Sequence, residues 1–303
     1  MRKSRIITGL SLAAAALLTL TACNSGAPGG SPTSGTPSGS ASGTWFEVSK
    51  DVSLQGSPTF DAITARGSVK VGVKEDQPGL GYLDPTTGER TGFDIDIARW
   101  IAASLGYDED KIEFTAIPSA NREQALVNGD VDYYVGTYSI TDSRKEQISF
   151  AGPYFTTGQG LLVAADNTDI NGPDDLAGKT VCSATGSTSI QRIKDKYPDA
   201  QTTEFDTYSQ CVEQLKNGQV DAVTTDESIL IGFAAQDPDN LKVVGDVFSE
   251  ERYGVGIAKG DTALQEFINT MFTDGGDIWQ AIFDKNLGPA GVKGEQPAVD
   301  PVS

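Results

Sequence analysis

The chain has 303 residues, a formal net charge of −19 and no histidine. So acidic a surface argues against nucleic acid as a partner, because phosphate backbones are gripped by Lys and Arg patches. The lack of histidine removes the commonest general base and the commonest metal ligand, and no Cys-x-x-Cys pair or acidic calcium loop replaces it, so neither a metal nor a cofactor is expected.

At the N-terminus, Arg2, Lys3 and Arg5 precede an apolar run from Ile6 to Leu20. This is the charged-then-apolar order of a secretory signal, and the run falls short of the about 20 residues that span a bilayer. Leu20-Thr-Ala-Cys23 follows and resembles the lipobox of bacterial lipoproteins. Residues 1–22 are therefore expected to be a signal peptide, and Cys23 the acylated first residue of the mature chain. An ordinary small-residue cleavage site beside a cysteine is the alternative. Residues 24–44 are almost entirely Ser, Gly, Pro, Thr and Ala, a composition that cannot bury enough apolar surface to offset its ordering entropy. With Cys23, a flexible tether over 23–58 is expected.

Beyond it, strand and helix patterns alternate. Residues 68–74 (SVKVGVK) read as a strand, and 93–106 (FDIDIARWIAASLG) as a helix with Phe93, Ile97, Ile101 and Leu105 on one face. The run Leu126-Val-Asn-Gly-Asp-Val-Asp132 is echoed by Leu215-Lys-Asn-Gly-Gln-Val-Asp221. In each copy a helix stops at Asn-Gly and a strand follows, which predicts two similar α/β lobes. Ligands of open α/β sheets bind outside the carboxyl ends of the strands. Those ends carry Lys74, Thr137, Ser139, Ser187, Thr188 and Asp226, so a polar cleft between the lobes is expected. With Cys23 assigned to lipidation, Cys182 and Cys211 remain in an oxidising compartment. They are expected to form a disulfide, two buried thiols being the alternative.

The run Gly92-Phe-Asp-Ile-Asp-Ile-Ala98 after the turn at 84–88 resembles the opening helix of the polar amino-acid solute-binding proteins of ABC importers. So do Ser139-Ile-Thr-Asp-Ser-Arg144, Phe150-Ala-Gly-Pro-Tyr154, Gly186-Ser-Thr188 and Thr224-Thr-Asp226, in order over about 60–285. Residues 72–81 (GVKEDQPGLG) are especially similar to those of glutamate-binding lipoproteins of actinobacterial importers. The resemblance implies an α/β, two-lobe, type II periplasmic-binding-protein-like fold that closes on its ligand. Its two interlobe crossings are expected near 156–160 and 246–253, with lobe 1 from 59–157 plus 252–287 and lobe 2 from 158–251. The tail 288–303 lacks periodicity and is expected to be loosely held.

The same resemblance suggests the site. Arg144 would hold a ligand α-carboxylate with its planar fork, aided from the other lobe by Ser187 and Thr188 where a helix opens. Asp226, Ser139 and Thr137 would accept the α-ammonium; for Asp226, capping of the next helix is the structural alternative. Lys74, with Arg122 and Ser119, would attract a side-chain carboxylate. Arg122 reads equally as a strut between its helix and the sheet, and Ser119 as an N-cap. The expected protein is a lipid-anchored, monomeric binder of L-glutamate, or of aspartate, on the outer face of the membrane. It serves ABC permease subunits and is not an enzyme. The alternatives are a binder of glutamine or another polar amino acid, a sensor, and a dehydratase-like enzyme on the same fold.

Overall fold

A computed structural model describes residues 46–302; the signal segment and Cys23 lie outside the described residues. Two five-stranded sheets carry the fold and share one strand plan. In the first, Ile112–Ala116, Val69–Val73 and Tyr133–Val135 run parallel, followed by antiparallel Glu251–Ile257 and then Ser149–Thr157. In the second, Gln201–Phe205, Thr180–Ala184 and Ala222–Asp226 run parallel, followed by antiparallel Gln159–Ala164 and then Leu241–Val244. In each sheet the antiparallel strand is the one arriving from the other sheet. A chain that leaves one lobe at the carboxyl, cleft-facing end of a strand must enter the next running away from the cleft. The chain crosses at Gly158 and returns through 245–250.

The sequence echo is an echo of hydrogen bonds. Both helices end on a left-handed glycine, Gly129 and Gly218. Asp132 then donates its N–H to Lys70 O and accepts the Lys70 N–H on its carboxylate; Asp221 does the same with Thr180. The repeated aspartate thus locks each parallel strand pair at its start. Cys182 and Cys211 are disulfide-bonded in the second lobe, joining the strand Thr180–Ala184 to the helix Tyr208–Lys216.

The first lobe is packed around Phe93, which opens the helix Phe93–Ser104 and meets the rings of Phe155, Trp279, Tyr154 and Phe283. Two expectations are corrected around this core. Residues 46–57, read as the end of the tether, lie against it through Phe46, Val52 and Leu54. Ser49 donates its N–H to Ala103 O, and Ser57 donates its hydroxyl to Asp261. The tail read as loose is held too. Asp300 donates its N–H to Gly152 O and pairs with Arg252, while Gln296 donates to Phe272 O. Apart from the single 3₁₀ turn Gly288–Ala290, neither segment is regular secondary structure, so neither shows a period in sequence although both pack apolar side chains against the core. Among the described residues no helix is long and apolar enough to cross a membrane.

Candidate ligand-binding site

The lobes meet across the cleft. Ser209 of one lobe donates its N–H to the Asp76 carboxylate of the other at 3.1 Å, and Arg144 Nη2 donates to Gly186 O at 3.1 Å. Gly186 has a steric reason to be glycine: a Cβ there would lie 2.7 Å from Ala120 Cα. Lys74, Ser119, Arg122, Thr137, Ser139, Arg144, Ser187 and Asp226 are all buried, and Thr188 is half-buried. Two cavities flank this group. One of about 710 Å³ is lined by Ser119, Arg144, Ser187, Thr188 and Arg192; the other, about 110 Å³, is lined by Lys74, Asp76, Pro118 and Thr207.

Lys74 follows the strand Val69–Val73 and donates Nζ to the Ser119 hydroxyl at 2.7 Å. Ser119 therefore faces Lys74 and makes no side-chain cap. Burial, then the nearby Arg122 charge, lowers the Lys74 ammonium to about 7. Arg122 opens the helix Arg122–Asn128 and donates Nε to Ser119 O at 3.1 Å and Nη1 to Thr137 O at 3.4 Å. It is thus a strut between helix and strand end, and at the same time a buried cation beside Lys74.

Arg144 lies in the short helix Asp142–Lys145, capped by the Thr141 hydroxyl. Its Nε pairs with Glu123 at 3.1 Å and its Nη1 donates to Ser139 O at 2.6 Å. The ring of Tyr138 packs against both arginines, its centroid 4.3 Å from the Arg122 guanidinium carbon and 5.0 Å from that of Arg144. A ring face in this place attracts both cations and offsets part of their mutual repulsion. Tyr138 was missed in the sequence because its neighbours Thr137 and Ser139 are the polar strand-end residues, and a tyrosine between them reads as core.

From the second lobe, Ser187 caps the helix Thr188–Lys196, its hydroxyl accepting the Ile190 N–H. The Thr188 hydroxyl turns to the buried carboxylate of Glu251 at 3.0 Å. Both hydroxyls are thus engaged within the protein, and the Ser187 N–H donates to Ala184 O at 3.1 Å, so ligand contact from this turn falls to the Thr188 backbone N–H. Asp226 stands at the N-cap of the helix Glu227–Gln236 but makes no cap bond. Its Oδ2 accepts the Tyr253 hydroxyl at 2.6 Å, and its Oδ1 is buried without a partner. Burial, then the charge of Glu251, raises its carboxyl to about 7. A buried carboxylate oxygen without a donor is costly, and it marks a place for a cationic group.

Thr137 occupies a left-handed backbone position, φ 46°, unusual for a β-branched residue. Its N–H is held by Asp94 Oδ2 at 2.9 Å and its hydroxyl by Gln77 Oε1 at 3.2 Å, with Tyr154 donating to Asp94 Oδ1 at 2.8 Å. Asp94 is fully buried, and burial raises its carboxyl to about 6. In the sequence Asp94 reads as a dipole-favoured acid in a first helical turn; the structure turns it inward to the strand end.

Two matching lobes, strand ends converging on a buried charged cleft and two crossings define a two-lobed solute-binding protein of type II fold. The chain belongs to the bacterial extracellular solute-binding proteins, family 3, whose pattern matches residues 69–288. It is similar to the glutamate-binding protein GluB of Corynebacterium efficiens, 42% identical over 241 residues that cover 75% of this chain and 81% of that one. It is also similar to a glutamine-binding protein of Geobacillus stearothermophilus, 44% identical over 67% of this chain and 78% of that one. Among solved structures, a mutant of ArgBP from T. maritima superposes with a TM-score of 0.70 at 31% identity, covering 76% of this chain and 99% of that one.

Proposed function

We propose that this solute-binding protein captures an acidic amino acid, L-glutamate before aspartate, by closing its lobes on it, and presents it to an ABC permease. The observation that carries this reading is the charge pattern of the cleft. Lys74, Arg122 and Arg144 are buried in one cleft with Asp226, whose Oδ1 has no partner. Two ligand carboxylates complement the cations, and one ammonium complements Asp226. Arg144 receives the α-carboxylate, together with the backbone N–H of Thr188 in the turn that Ser187 caps; Asp226 with the Ser139 and Thr137 acceptors takes the α-ammonium. Lys74, steadied by Ser119 and joined by Arg122, takes the side-chain carboxylate. The GluB relative of C. efficiens supports the acid, and the glutamine-binding relative makes glutamine the competitor to exclude. An ammonium such as Lys74 forms a charge pair with a carboxylate and only a hydrogen bond with an amide, which favours glutamate.

The chain is proposed to work outside the cell, anchored through lipid on Cys23 after removal of residues 1–22. Lobe 1 is taken as 59–157 with 252–287, and lobe 2 as 158–251. Calorimetry of the full chain with L-glutamate, L-aspartate and L-glutamine tests the ligand: glutamate should bind tightest, and a clear preference for glutamine would sink the acid reading. Small-angle scattering should show a more compact particle once glutamate saturates it.

A further inference from the structure

One buried donor in the cleft has no part in the contacts so far. Gln77 ends the short strand Asp76–Gln77, three residues after Lys74, and is fully buried. Its Oε1 accepts the Thr137 hydroxyl at 3.2 Å, which pins the side-chain amide to the strand end carrying the left-handed residue. Its Nε2, in the same planar group, is shielded from solvent and has no hydrogen-bond partner. Both neighbours of Gln77 touch the second lobe. Asp76 takes the Ser209 N–H, and the Pro78 carbonyl would lie 2.3 Å from a Cβ placed on Gly232. Gln77 is therefore seated where the lobes close. A buried amide N–H without an acceptor is unfavourable, and a ligand oxygen would relieve it.

We propose that Gln77 is a specificity-determining residue of this pocket, its Nε2 donating to an oxygen of the ligand's side-chain carboxylate. The inference rests on the acidic amino-acid reading of the site. An N–H donor cannot serve the ligand's ammonium, and the α-carboxylate is assigned to Arg144 and the turn at Ser187. The side-chain oxygens at the Lys74 end remain. Lys74 and Arg122 could be satisfied by one oxygen with its two lone pairs, which an amide also offers. Gln77 is a third donor at that end, more than one amide oxygen accepts, and only a carboxylate has the further acceptor sites; a side-chain amide would turn its own NH₂ toward one of the donors. Gln77 thereby completes the discrimination that Lys74 begins.

Calorimetry of the full chain with L-glutamate and L-glutamine tests this for the natural chain, Gln77→Glu and Gln77→Met. Gln77→Glu sets a carboxylate against the ligand's carboxylate. It should weaken glutamate by about 100-fold or more while weakening glutamine far less. Gln77→Met removes the donor with a side chain of similar length. It should weaken glutamate by about 10- to 100-fold, the range for a hydrogen bond to a charged group, and narrow the preference over glutamine. Variants that keep the natural preference, or that lose both ligands equally, overturn the role of Gln77. A natural chain that does not prefer glutamate overturns the acidic-ligand reading itself. If thermal melting shows Gln77→Glu unfolded, Gln77→Met decides alone.

Discussion

The backbone N–H of Thr137 donates to the Asp94 carboxylate at 2.9 Å while Thr137 sits at φ 46°. Asp94 belongs to a helix and Thr137 to a strand end, so this bond holds an unfavourable backbone conformation from outside. That conformation positions the Thr137 carbonyl, which already takes Arg122 Nη1. Asp94→Ala leaves the Thr137 N–H and the Tyr154 hydroxyl buried without an acceptor. It should cost about 2–6 kcal/mol of stability in urea unfolding, at about 1–3 kcal/mol for each unpaired group. Asp94→Asn, which keeps one acceptor, should cost less and still weaken glutamate about tenfold, because the strand end relaxes.

Asp226 is expected to trade stability for binding. Its folded pKa of about 7 exceeds the ordinary 3.8, so the folded protein holds this proton more tightly than the unfolded chain. An acid shifted that way loses stability as pH rises from about 4 to about 7. Asp226→Asn should therefore leave the ligand-free Tm nearly unchanged near pH 4 and raise it near pH 8, by an amount corresponding to no more than about 4 kcal/mol. The same variant should weaken glutamate by about 2–5 kcal/mol, the cost of removing one partner of a buried charge pair. A melting series with and without ligand separates the two effects.

Glutamate affinity should be bell-shaped in pH, with its maximum near 7. Below about 7 the ligand-free Asp226 carries a proton that must leave before an ammonium can pair with it. Above about 7 the ligand-free Lys74 is neutral and must take up a proton to meet a carboxylate. Each limb should fall by up to about tenfold per pH unit. Calorimetry in buffers of different ionisation enthalpy should register proton release at pH 6 and uptake at pH 8. A flat profile would mean that neither group faces the ligand.

The disulfide between Cys182 and Cys211 closes an interval of 29 residues. The chain-entropy argument gives it about 3–4 kcal/mol of stabilisation. Because it ties a strand to a helix within one lobe, Cys182→Ala with Cys211→Ala should lower Tm by several degrees. It should change the glutamate Kd by less than about threefold, since neither sulfur lies at the strand ends.

Removing residues 292–303 should destabilise the first lobe and its hinge strands. The tail bonds Asp300 to Gly152 and Arg252, and Asn269 donates to the Asp300 carbonyl. A loss of about 1–3 kcal/mol is expected, since the buried Asn269 amide and the Gly152 carbonyl each lose a partner. Urea unfolding of the shortened chain checks this; an unchanged midpoint would restore the reading of a loose tail.

Much of this protein was legible in its residues alone. Asn128-Gly129 and Asn217-Gly218, with Asp132 and Asp221 after them, announce the two lobes because their hydrogen bonds join the turn to a neighbouring strand in the same way in both copies. The polar residues at the ends of the apolar strands announce a cleft, since a strand end of that kind cannot sit in the core. What tertiary structure alone decided is which group each of them meets. That Asp226 Oδ1 and Gln77 Nε2 are buried without partners, and that two arginines pack on the Tyr138 ring, depends on segments far apart in the chain. So does the packing of 46–57 and of the tail, which are held by single irregular contacts. Periodicity reports only which face of a regular element is buried; it carries no record of the partner across the cleft, and that partner sets the chemistry of the site.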